Sequence, residues 1–157
     1  MIDKWEDVVR VLFPNKVLNG RVLGGAFALR SHREERSISV FRMVGSTFAE
    51  ELLVLDKGRN LPCAVMNVGE INAVKFCSKD NQAWCNVVET GDITDTAHAG
   101  IEIYINNQQV IGGHESEIAL CETGVSMDAI VLALQHRLAI IAQKGLRSVD
   151  EVLPDGK

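Results

Sequence analysis

At 157 residues, with 46% hydrophobic and 24% charged residues, the chain is long enough to bury a core and too apolar to be disordered, so one globular domain over residues 1–157 is expected. The formal net charge of −5, from Lys+Arg 16 against Asp+Glu 21, and the lack of a basic stripe interleaved with aromatics argue against a nucleic-acid partner. No apolar run approaches the roughly 18 residues of a membrane span, and Met1-Ile2-Asp3-Lys4-Trp5-Glu6-Asp7 lacks a signal-peptide layout, so a cytoplasmic protein with no membrane partner is expected.

The first expected element is an amphipathic helix. Asp3 stands as its cap with Glu6 three residues on, and Trp5, Val8, Val9, Leu12 and Phe13 follow the i, i+3, i+4, i+7, i+8 rule as far as Pro14. Gly20, Gly24 and Gly25 punctuate a loop. Ala26-Phe27-Ala28-Leu29 and Ser37-Ile38-Ser39-Val40-Phe41-Arg42 flank the charged segment from Arg30 to Arg36 and predict an antiparallel hairpin with a long, charged tip. A second helix starts at Gly45-Ser46-Thr47, where Thr47 and Glu50 have capping-box spacing, and runs through Leu52, Leu53 and Leu55 to Lys57-Gly58. Leu61 to Met66 reads as a buried strand, Glu70 to Phe76 as one or two helical turns, and Ala83 to Val88 as a strand with Trp84 opposite Cys85 and Val87.

From Gly91 a polar loop runs into the alternating strand that carries Ile101, Ile103 and Ile105 on one face and Gly100, Glu102 and Tyr104 on the other, with His98 entering at the rim. Asn106-Asn107 suits a tight hairpin returning along Gln109-Val110-Ile111. The strongest element is the carboxyl-terminal helix from Ser126 to Lys144. Met127, Ile130, Val131, Leu134, Leu138 and Ile141 form its stripe, and Leu132 and Ile140 widen it. Gly145 is placed at a left-handed C′ position, and Ser148 to Glu151 reads as a capping box opening a short last helix before Pro154. The order predicts an α+β fold: a mostly antiparallel sheet packed against the long apolar carboxyl-terminal helix and the amino-terminal amphipathic helix, without βαβ alternation or a Gly-rich phosphate turn.

Several groups carry candidate chemistry. His98 can serve as a general base with Asp95 orienting its second nitrogen, while the hydroxyls of Thr94 and Thr96 bind a ligand oxygen; the plainer reading is that His98 bonds a loop carbonyl and fixes a turn. Cys121 precedes the long helix, whose amino-terminal dipole favours a thiolate, though apolar Ile118, Ala119 and Leu120 fit a structural thiol as well. Arg30 and Arg42 flank the expected hairpin and can clamp an anion, or equally be outward-facing edge residues. His114-Glu115 with His98 and Asp95 lacks any short-range metal pair and reads as the start of a solvated loop, and the 4 Cys show no CxxC spacing. No metal and no cofactor are therefore called for.

Gly20-Arg21-Val22, Ala26-Phe27-Ala28-Leu29-Arg30, Ser37-Ile38-Ser39-Val40 and Ala97-His98-Ala99-Gly100-Ile101 together resemble a group of uncharacterised bacterial proteins that occur among mobile and horizontally acquired genes. The group's pattern is roughly a G-R-[VI] turn, an A-F-x-[LP] strand, an L-S-V strand and an N-P-A-H-A-x-I loop. Here Ile38 replaces the usual Leu, and Asp95-Thr96 replace Asn-Pro. The resemblance implies a bacterial origin and a shared fold, and carries no activity. The functional expectation is a small binding or interaction module, homo-oligomeric, with a small-molecule or protein ligand; the alternative is a hydrolase or transferase using His98 with Asp95 as general base.

Overall fold

Five residues claimed by the first helical spacing, Asp7–Val11, form strand β1. The exchange between Asp3 and Glu6 is made: Asp3 N–H donates to Glu6 Oε2 at 2.8 Å and Trp5 N–H to Asp3 Oδ1 at 2.8 Å. It closes a turn and opens no helix. Val8, Val9 and Val11 are β-branched and buried, because the strand is covered on both faces. A two-sided strand and a helical stripe select the same apolar positions, and here the β-branched side chains favour the strand. The expected amino-terminal helix is thereby corrected.

The computed structural model describes residues 2–44, 47–90 and 97–154. After β1 come the small hairpin of β2 (Val17–Leu18) and β3 (Arg21–Val22), then β4 (Ile38–Arg42), α1 (Thr47–Asp56), β5 (Pro62–Asn67), α2 (Val68–Asn72) and β6 (Lys75–Cys77). They are followed by β7 (Gln82–Glu89), β8 (His98–Ile105), β9 (Gln108–Gln109), α3 (Met127–Lys144), β10 (Leu146–Ser148) and α4 (Val149–Val152). The seven strands run in the order β10-β5-β1-β4-β8-β7-β6, with β9 beside β8, and every neighbouring pair is antiparallel. They make a curled half-barrel, and the 18-residue α3 packs against it.

Ala26 to Leu29 is a second correction, since no strand forms there. Gly24–Phe27 is a 3-10 turn whose Ala26 and Phe27 are buried in the α3-side core, and β4 pairs instead with β1 and β8. Two glycines leading the segment weaken an extended conformation. Residues 70 to 76 divide between the end of α2 and the start of β6.

The sheet is buried on both sides. Val8, Leu12, Val40, Met66, Ile101 and Ile103 face Ile130, Leu134 and Leu138 of α3. Val9, Val11, Phe41 and Cys63 face Phe48 and Leu52 of α1 and Val149 of α4. Beyond α1 the second face carries Glu102 and the stacked rings of Trp84 and Tyr104, 5.7 Å apart. Glu102 accepts the Tyr104 hydroxyl at 2.8 Å, which holds that phenol above its usual range.

Asn106 (φ 50°) and Asn107 (φ 66°) are both left-handed, as a two-residue hairpin turn requires. Ser126 caps α3 by accepting the Ala129 N–H at 3.1 Å, and Ser148 with Glu151 forms the expected capping box of α4. Leu132 and Ile140 are 62% and 53% exposed on the outer side of α3. Gly145 is not left-handed, with φ −109°; its role is close approach, since a Cβ there would lie 1.9 Å from the Val65 carbonyl oxygen. No helix among the described residues is long and apolar enough to cross a membrane.

Candidate functional site

Strand alternation places Arg10 on the same face of β1 as Val8 and Leu12, both essentially inaccessible to solvent. A charged side chain in the middle strands of the sheet thus points toward the α3-side core. Small residues make room for it: Ala64 is its cross-strand partner in β5, and Ala26 lies where its guanidinium ends. Nε and Nη2 donate to the Ala26 carbonyl at 3.2 and 3.0 Å, and Nη1 donates to the Ser39 carbonyl at 2.7 Å. Both acceptors are neutral. A guanidinium has five N–H groups, so one hydrogen on each Nη lacks a protein acceptor among the described residues.

Arg10 forms no ion pair among the described residues. Burial lowers its pKa to about 10, an effect opposed by Glu35 and reinforced by Arg30, so the group is charged at neutral pH. It opens into a cavity of about 360 Å³ whose lining includes Lys16, Arg30, Phe13, Asn15 and Ala28 and, among the described residues, no Asp or Glu. Lys16 is brought there by the 3-10 turn Pro14–Lys16, closed by its N–H on the Phe13 carbonyl at 2.8 Å, and by its own carbonyl, which accepts the Leu23 N–H at 2.9 Å. Glu35 holds Arg30 and also acts on the charge of Arg10. Its Oε1 accepts the Arg30 backbone N–H at 2.6 Å, and its Oε2 lies 3.6 Å from Arg30 Nε.

The residues singled out in the sequence are dispersed. Thr94, Asp95 and Thr96 lie outside the described residues. His98 is the first residue of β8, half-buried, with its ring 5.2 Å from that of Phe41 at a 48° tilt. Cys121 lies beyond the other end of the same strand, where its N–H donates to Asn81 Oδ1 at 2.8 Å and its sulfur lies 3.7 Å from Asn106 Nδ2. The eight residues of β8 span roughly 23 Å at about 3.3 Å per residue. His98 and Cys121 are therefore not brought together. Arg42, at the end of β4, donates Nε and Nη2 to Glu6 at 3.1 and 3.0 Å and Nη1 to Glu89 at 2.8 Å, so its fork is committed to carboxylates. Arg30 alone of the expected anion-clamp pair lines the cationic cavity.

Burial raises the pKa of Cys63 to about 11 and of Cys85 to about 12, which removes both as thiolates at neutral pH. His114 bridges two carboxylates: Nε2 lies 2.6 Å from Glu34 Oε2, and Nδ1 contacts Glu117. The bond to Glu34 and then that to Glu117 raise its pKa. These three do not converge on a point, and among the described residues no group of His, Cys, Asp or Glu can hold a metal.

Sequence reasoning missed Arg10 and Lys16. Arg10 was legible as a lone charge in Val8-Val9-Arg10-Val11-Leu12 once that run is read as a strand. Lys16 had no comparable signal. With the fold established as α+β and its cationic pocket located, comparison with known proteins adds no identity: no family model, curated protein or solved structure matches the chain.

Proposed function

We propose that this chain is a small-molecule-binding module whose ligand is an anion seated against Arg10. The observation that carries the reading is the guanidinium itself: charged, half-buried, held among the described residues only by carbonyls, and facing a cavity to which those residues add Lys16 and Arg30 but no carboxylate. Arginine offers a rigid, weakly hydrated fork matched to carboxylate and phosphate oxygens, so an anion there gains charge-assisted bonds that the protein does not supply. The cavity falls in the size range of small-ligand sites.

The test is titration of the protein with inorganic phosphate and with acetate at low ionic strength, followed by backbone amide NMR. Saturable shifts confined to residues 10–30 are expected for at least one anion. Lys16→Gln and Arg30→Gln, both at the rim, should each weaken binding several-fold while leaving the spectrum of the core unchanged. Uniform, non-saturating shifts with both anions would end the proposal.

A further inference from the structure

The same cavity has a second character. Phe13 stands at its rim 40% exposed, outside both hydrophobic cores. Its backbone is fixed: Pro14 restricts the preceding residue to extended conformations, Phe13 has φ −79° and ψ 153°, and its carbonyl closes the following turn by accepting the Lys16 N–H at 2.8 Å. The ring thus stands on a rigid support beside the cations, with Ala28 adding apolar surface. A benzene-like face held partly in water and not used by the core is free to cover a flat apolar group.

The charge also has a magnitude. Three cations line the cavity, and the carboxylate beside them, Glu35, lies against Arg30. With Glu35 set against the three of them, an excess of two positive charges remains. A carboxylate monoanion neutralises half of that excess, whereas a phosphomonoester, with roughly −1.5 to −2 charge at neutral pH, neutralises most of it and presents three acceptor oxygens.

From these two features we infer that the pocket binds a phosphomonoester carrying a small, flat apolar group, with the phosphate against Arg10 and Lys16 and the apolar group on Phe13. This rests on the reading of the pocket as an anion site and narrows it to one class of ligand. A cavity of about 360 Å³ suits one such molecule and is too small for an extended polyanion.

Three probes separate the components: inorganic phosphate, phenyl phosphate and benzoate, each titrated by calorimetry into the full chain at one ionic strength and pH. Phenyl phosphate is expected to bind at least tenfold tighter than either of the others. Tenfold corresponds to about 1.4 kcal/mol, which removal of roughly 55 Å² of apolar surface from water provides at about 25 cal/mol per Å². Phe13→Ala should bring phenyl phosphate down to the affinity of inorganic phosphate and leave the latter unchanged. Equal affinity for phosphate and phenyl phosphate overturns the apolar half of the inference, and benzoate binding as tightly as phenyl phosphate overturns the dianion half; in both cases the anion site survives. Binding of none of the three overturns the inference and the anion site together.

Discussion

Replacing Gly145 by alanine tests how the long helix is joined to the sheet. The residue has φ −109° and ψ 21°, which alanine adopts without strain, so backbone preference alone favours the substitution by about 0.4–1 kcal/mol through the unfolded chain. Space decides otherwise. The added Cβ would lie 1.9 Å from the Val65 carbonyl oxygen, where ordinary contact begins at 3.4 Å. Neither neighbour yields easily: the Val65 N–H donates to the Gly145 carbonyl at 2.9 Å, and Leu146, Arg147 and Ser148 pair with β5 directly afterwards. Overpacking costs roughly 1–3 kcal/mol, and loss of that hydrogen bond about 1 more. Set against the entropic gain, a net loss of about 1–3.5 kcal/mol is expected. For a domain of this size that lowers Tm by roughly 2–14 °C, at about 2–4 °C per kcal/mol. Urea unfolding with an unchanged m-value is the assay. A variant as stable as the parent, or more so, would show that helix and strand do not meet this closely, and the account of Gly145 would be lost.

Two further outcomes are expected. His114 titrates from a raised pKa because Glu34 and Glu117 favour its charged form, so its contribution to stability is complete below the unfolded value of about 6.5 and fades as pH rises through the higher folded value. Thermal melts across that window should show the decline, His114→Gln should flatten it, and a parent curve already flat would refute the bridge. We also propose that the outer side of α3, with Leu132 and Ile140 at 62% and 53% exposure, supports a symmetric dimer. Sedimentation should then give twice the 17.2 kDa chain mass at micromolar concentration, with Leu132→Glu shifting it to monomer; a parent that remains monomeric rules this out.

Long periodic elements were legible in the sequence. The stripe of α3, the alternation of Ile101, Ile103 and Ile105, and the paired asparagines at 106 and 107 each combine a local preference with a tertiary demand that agrees with it. At the amino terminus the two conflict. Asp3 and Glu6 satisfy each other as a helix start does, yet the residues that follow are claimed by β4 and β5 on either side. The hairpin of β2 and β3 turns on Asn19-Gly20, with φ 51° and 75°, a hairpin pair that sits among the glycines expected to punctuate a loop. Gly145 shows a different limit. A glycine after a helix has two explanations, positive φ and close approach, and only the path of Val65 distinguishes them.

The cationic pocket was illegible for a topological reason. Its charges come from residues 10, 16 and 30, which lie in a strand, a 3-10 turn and a loop. No spacing rule links them; they meet because β1 is sandwiched between β4 and β5 while the chain between β1 and β4 folds back over its end. Packing does not explain why they carry charge. The three bonds to Ala26 and Ser39 account for the orientation of Arg10, but donors without charge satisfy carbonyls equally well. Arg30 already has a partner in Glu35, and the Arg10 pKa is lowered chiefly by burial, with Glu35 opposing that effect and Arg30 adding to it. An anion in the pocket would use the charge and the N–H groups that these bonds leave over, which is the ground on which the anion site is proposed.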